Sequence, residues 1–185
     1  MLPYWHHKKG TNELRELWKK GIPPSLRDQI WTLAIGNRLS ITKQYYEINL
    51  KKAKALRQQL KGKTDAQIQQ FFLEQYGSTL TKESSLRIID LDLPRTFPSL
   101  AIFNNKDSPI YENLQNVLDA FVISRPDIGY VQGMSFIAGL FLLYMQPYDA
   151  FRCFANVICR MSLIPFFLIN EQQVRNIQYN QLISP

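Results

Sequence analysis

The stretch "YVQGMSFIAGLFLLYM", Tyr130 to Met145, decides the fold. From Met134 onward it is apolar almost without interruption. It is too short to cross a bilayer, which takes about 20 apolar residues. It is also too greasy to turn a wide face to water. It therefore predicts a helix, from about Gln132 to Met145, buried among other helices. One amide side chain, Gln132, stands at the mouth of that helix beside Gly133. That placement needs a reason.

Working outward, every neighbouring segment reads as helix. "YDAFRCFANVICR", from Tyr148 to Arg160, continues the apolar periodicity after Pro147. On the other side, "SRPDIG" is a loop. Ser108-Pro109 opens a helix whose Leu114, Val117, Leu118, Phe121 and Val122 share one face. "RTFPSLAIFNNKDSP" is irregular, because two prolines and an Asn-Asn pair punctuate it. "SSLRIIDLDL" is a short helix that must end by Leu93, since the residue before Pro94 is pushed out of the α region. Further upstream, Thr64 caps a helix through Tyr76, and another runs from about Thr42 to Leu60. Ser25 to Ile35 is expected to turn Leu26, Ile30, Leu33 and Ala34 inward. "TNELRELWKK" begins at Thr11 or Asn12 and ends at Gly21. No β-alternation is sustained and no repeat is visible. The expectation is an all-α fold in one domain.

Composition agrees. The chain has 185 residues, 45% hydrophobic and 20% charged, an ordinary globular profile. "MLPYWHHKKG" has no apolar core of the kind a signal peptide needs. Cys153 and Cys159 are expected to be small hydrophobes on one helix, in a reducing compartment. The net charge of +7 is uneven: residues 1–63 carry fourteen Lys/Arg against four Asp/Glu. That basic third offers a means of peripheral association with an anionic membrane, but its first reading is a set of solvated helix faces. "KKAKALRQQLKGK" lacks the interleaved aromatics that single-stranded nucleic acid requires, so no nucleic-acid partner is expected. His6-His7 has no Cys or carboxylate at ligand spacing, so neither a metal nor a triad is expected. No phosphate-cradling glycine loop is present, so the chain is not expected to bind nucleotide alone.

Two loops beside apolar helices each carry one polar side chain with reach. "DLPRTFP" presents Arg95, a planar fork of donors suited to phosphate oxygens. "GYVQGMS" presents Gln132, donor and acceptor at once, able to orient a water. Charge stabilisation and nucleophile positioning are the two parts that phosphoryl transfer needs when no covalent intermediate forms. Pattern alone leaves blander readings open: a surface ion-pair partner for Arg95 and a capping amide for Gln132.

Three motifs in order then carry a family resemblance. "GIPPSLRDQIW" (Gly21 to Trp31, with Pro23 and Arg27) resembles the first motif of TBC domains, the GTPase-activating domains for Rab small GTPases. "IIDLDLPR" holds I-x-x-D-x-x-R as Ile89, Asp92 and Arg95. "YVQGM" holds Y-x-Q-G-M as Tyr130, Gln132, Gly133 and Met134. The resemblance implies a TBC-type helical domain over residues 14–156, after a flank at 1–13. It implies that Arg95 enters a partner's nucleotide pocket and that Gln132 orients the attacking water. Asp92 would hold the guanidinium, with Asp90 left to solvent. Tyr130 and Met134 would pack the glutamine loop, and Gly133 would let the backbone come close. Arg27 and Trp31 look structural, the arginine lying over a buried indole or pairing with a carboxylate.

The implied partner is a GTP-bound Rab, to which Mg²⁺ and GTP belong; the chain itself needs no cofactor. The implied setting is cytoplasmic, peripheral on endosomal, Golgi or autophagosomal membranes, in vesicle trafficking and autophagy. After Asn156 the family pattern fades. Residues 157–185 read as a divergent or truncated ending, with much of a second helical lobe absent. The alternative function is then a weak or inactive fragment that binds a GTPase or another protein.

Overall fold

The computed structural model describes residues 5–8, 10–76 and 82–160. The divergent ending expected at 157–185 lies outside them from residue 161 on. The helices in chain order are α1 (Trp5–Lys8), α2 (Asn12–Lys19), α3 (Arg27–Ile35), α4 (Lys43–Leu60), α5 (Asp65–Tyr76), α6 (Lys82–Asp92), α7 (Pro109–Ser124), α8 (Met134–Leu142) and α9 (Pro147–Ile158). Short 3-10 turns occupy Pro24–Leu26, Leu93–Arg95 and Pro98–Leu100. Among the described residues there is no strand, and the all-α expectation holds. None of these helices is long and apolar enough to cross a membrane.

The caps follow from side-chain chemistry. Thr11, Thr42 and Ser108 each accept the backbone N–H three residues on, from Leu14, Tyr45 and Tyr111. Thr64 and Gln67 form a reciprocal box: Thr64 Oγ1 takes the Gln67 amide, and Gln67 Oε1 takes the Thr64 amide. Each pairing satisfies an amide that the helix itself leaves open.

The core is built around α7, which packs against α4, α6, α8 and α9. Leu114, Val117, Leu118, Ala120, Phe121 and Val122 are fully buried on it, so it is apolar around most of its circumference. Phe121 meets Phe154 of α9 with ring centroids 4.9 Å apart. A buried charge, Asp119, lies on the inner side of α7. Asp119 is 3% exposed and is gripped by Arg57 of α4 through Nε and Nη2. The same guanidinium reaches Asp90 of α6 at 2.9 Å, which makes Arg57 a three-helix clamp. Asp90 is therefore not simply a solvent residue: it also accepts from Gln115.

Three expectations need correction. The greasy helix is shorter than Gln132 to Met145: it runs Met134–Leu142, with Gly133 left-handed at its N-cap and so outside it. Helix α3 buries no residue: Leu26 is exposed, and Ile30, Leu33 and Ala34 are half-buried. Its sequence spreads apolar residues around the helix rather than along one stripe, so no single face is driven inward. Trp31 is half-buried, edge-on to Phe141 and Tyr144. Among the described residues Arg27 has no carboxylate partner and lies over Tyr144 rather than Trp31: it donates to the Tyr144 hydroxyl and the Ile22 carbonyl.

Candidate functional site

The site begins where α6 is forced to stop. Pro94 cannot continue an α-helix, so the chain tightens into the 3-10 turn Leu93–Arg95. Ile89 and Leu93 are fully buried and pin this end of α6 to the core. Thr96 locks the turn, its hydroxyl donating to the Asp92 carbonyl at 2.9 Å. Arg95 is left at the surface, its side chain 60% exposed. Its Nε donates to the Leu91 carbonyl at 3.0 Å and its Nη2 to Asp92 Oδ1 at 2.6 Å. Nη1 is unpaired among the described residues.

Asp92 is the centre of the arrangement. It is 4% exposed, so water does not stabilise its charge and protein donors must. Oδ1 takes the guanidinium. Oδ2 takes the Tyr130 hydroxyl at 2.8 Å and the Gly133 amide at 3.0 Å. Gly133 caps α8, so this carboxylate also lies at the positive end of that helix's dipole. Burial pushes the Tyr130 phenol well above its ordinary range, and the neighbouring Asp92 pushes the same way against the Ser135 amide bond. The phenol therefore stays protonated and donates to Asp92, while its oxygen accepts the Ser135 amide at 3.2 Å.

Gln132 lies between residues held in this way and is itself exposed. Tyr130 before it is buried and Met134 after it fully so. The Tyr130 amide donates to Ser85 Oγ at 2.9 Å, and the Val131 amide meets Met134 Sδ at 3.4 Å. Gly133 has φ +93°, which an L side chain rarely adopts. A Cβ there would meet nothing within 4 Å, so the glycine serves the backbone turn rather than a close approach inside the chain.

Some contributors were not anticipated. Phe97, two residues past Arg95, is left-handed at φ +46°. Such a conformation costs about 1–2 kcal/mol for a residue with a Cβ. Packing holds it there: Phe97 lies edge-on to Phe136 at 5.3 Å and against Phe103 at 6.3 Å. Gly139 of α8 makes room, since a Cβ on it would come within 3.2 Å of Thr96 and 3.3 Å of Phe97. Leu91, Leu100, Phe136 and Leu140 leave large apolar side chains exposed on the elements that carry the site. Gly21 ends α2 with φ +89°, and Pro23 precedes the turn into α3. Arg27 and Trp31 attach this part of the chain to Phe141 in the last turn of α8 and to Tyr144 just beyond it. Among the described residues no group of His, Cys, Asp and Glu is arranged to hold a metal.

Comparison with known proteins places the chain in a family. The Rab-GTPase-TBC domain family model matches residues 24–184. TBC1 domain family member 12 of Xenopus tropicalis is 42% identical over 94% of the chain. TBC1 domain family member 14 of Homo sapiens is 39% identical over 92%. The chain spans about a quarter of the length of these relatives (25% and 24%). Drainin of Dictyostelium discoideum is 31% identical over 90% of the chain, which spans 45% of it. Among solved structures, the Chlamydomonas flagellar RabGAP TBC domain superposes with a TM-score of 0.57 at 23% identity. That superposition takes in 97% of this chain and 59% of the other. The chain belongs to the Rab-GTPase-TBC domain family.

Proposed function

We propose that the chain supplies two catalytic groups in trans to a GTP-bound Rab-family GTPase and so accelerates GTP hydrolysis. Arg95 neutralises the charge that develops on the γ-phosphate and the bridging oxygen. Gln132 orients the attacking water. Mg²⁺ and GTP are the partner's. The observation that carries this reading is the shared anchor. Two exposed polar side chains with the right chemistry flank one buried carboxylate, which bonds the guanidinium on one oxygen and the glutamine loop on the other. Positioned donors are what electrostatic stabilisation of a transition state requires. A surface ion-pair partner has no use for this arrangement, since its carboxylate would normally be solvated. Exposed Leu91, Leu100, Phe136 and Leu140, on elements next to the fingers in sequence, supply apolar surface for a macromolecular partner.

An arginine supplied in trans is worth about 10³–10⁵ in rate in GTPase systems. The test is single-turnover GTP hydrolysis by a panel of GTP-loaded Rab proteins, with the chain or its Arg95→Ala and Gln132→Ala variants added. Loss of stimulation in both variants, with folding intact, supports the reading. Stimulation unchanged in both removes it. The setting that follows is the cytoplasmic face of a trafficking membrane where the partner resides, on endosomal, Golgi or autophagosomal surfaces.

A further inference from the structure

We propose that Ser85 is a positioning residue for Gln132, an inference that rests on the two-finger reading above. Ser85 lies on α6, outside the three sequence motifs, and is 2% exposed. Its Oγ accepts the backbone amide of Tyr130 at 2.9 Å, across 45 residues of sequence. Tyr130 begins the segment that presents Gln132. Asp92, seven residues after Ser85 and two turns further along the same helix, holds the other side of that segment through the Tyr130 hydroxyl and the Gly133 amide. The glutamine loop is thus fixed at both ends to one helix, and the C-terminus of that helix turns directly into Arg95.

Helix α6 is in this sense the common mount of both fingers. Asp92 sets the guanidinium and the end of the glutamine loop; Ser85 sets the start of the loop. Without the Ser85 hydroxyl, the Tyr130 amide is buried with no acceptor in this geometry. The Gly129–Tyr130 peptide, at the start of the segment that carries Gln132, then loses its fixed orientation, and the amide that orients water loses its place. Arg95 keeps its own bonds to Leu91 and Asp92. The effect should therefore fall on the chemical step through Gln132 alone, and not on docking of the partner.

A double-mutant cycle tests this. Ser85→Ala should lower the saturating rate of stimulated hydrolysis by about 10-fold to 100-fold, the scale of a misplaced catalytic group, with KM for the GTPase unchanged. Ser85→Thr, which keeps a hydroxyl acceptor, should recover most of that loss. In a Gln132→Ala background, Ser85→Ala should cost nothing further; in an Arg95→Ala background it should cost its full factor. Hydrogen exchange of the free chain gives a reading independent of activity. In Ser85→Ala the Tyr130 amide should lose protection while the Leu118 amide of α7 keeps it. An equal loss in all three backgrounds, or unchanged Tyr130 exchange, overturns the proposal. If Gln132→Ala alone leaves the rate intact, the two-finger reading fails instead. The exchange result then still shows whether Ser85 holds the loop.

Discussion

Helices α2 and α3 carry apolar residues, as helices α7 to α9 do in larger share, and the two sets live in different environments. Helix α2 carries Leu14, Leu17 and Trp18 on one side and buries none of them. Helix α3 also buries no residue. Helices α7 and α9 enclose a continuous set of fully buried phenylalanines, leucines and valines. The difference lies in composition and in neighbours. Helix α7 is surrounded by α4, α6, α8 and α9, whereas α3 meets mainly α9 and the turn before it. The finger residues are mounted against the second region, on the turn after α6 and the turn before α8: Ile89, Leu93 and Met134, which flank them in sequence, are all fully buried. Preorganisation of an exposed group is supplied by what is packed beneath it.

The largest expected effects test this contrast by stability. Phe154→Ala, in the bundle, should cost about 3–5 kcal/mol, read as a shift in the urea midpoint. Trp18→Ala, in the N-terminal region, should stay within about 0.5 kcal/mol, as surface substitutions do. Equal losses at the two positions would break the contrast.

Asp119→Ala comes next. It removes the partner that Arg57 holds in the core and should cost about 3 kcal/mol, the low end for breaking a buried pair, because Asp90 remains to Arg57. A melting temperature unchanged in this variant would show that the three-helix clamp contributes nothing.

Asp92→Asn sharpens the comparison by separating stability from function. Losing the charge under Arg95, Tyr130 and Gly133 should cost about 1–3 kcal/mol. It should also depress stimulated hydrolysis more than Ser85→Ala does, because both fingers lose their anchor. A variant that melts normally and stimulates normally would remove Asp92 from the site.

The smallest effect is at the surface. Lys54 donates to Glu112 at 3.0 Å, and that hydrogen bond, with one from Asn116, holds the Glu112 carboxyl below its usual range. A depressed folded value means the contribution is present above the ordinary glutamate pKa and is lost as pH falls through the folded one. Both side chains are more than half exposed, so Lys54→Ala should cost under about 1 kcal/mol, and its difference from the parent chain should vanish in acid.

What the sequence made legible was local. Thr64 caps its helix as expected, Thr11 rather than Asn12 caps α2, and Thr42 and Ser108 cap the helices read as starting at them, because each pairs with an amide three residues away. Asp92 and Arg95 are also three apart, so their pairing could be anticipated once the motif resemblance placed both in the site. What stayed hidden was non-local. Arg57 finds Asp119 across 62 residues, and Arg27 finds Tyr144 across 117. Ser85 carries no mark of its role in "KESSLRIID"; only the fold brings Tyr130 to it. The left-handed Phe97 was equally invisible, since no glycine announces it and packing alone sustains it.

The central claim is that Arg95 and Gln132 act together on one partner from a single buried mount. The most direct test is the saturating rate of GTP hydrolysis by a responsive Rab protein, measured with the parent chain, Arg95→Ala, Gln132→Ala and the double variant. The account predicts that Arg95→Ala lowers stimulation by about 10³-fold or more. It also predicts a large loss for Gln132→Ala, and a double variant scarcely worse than the weaker single one. Parent-level stimulation by either single variant, with its helical content and melting unchanged, would contradict the account.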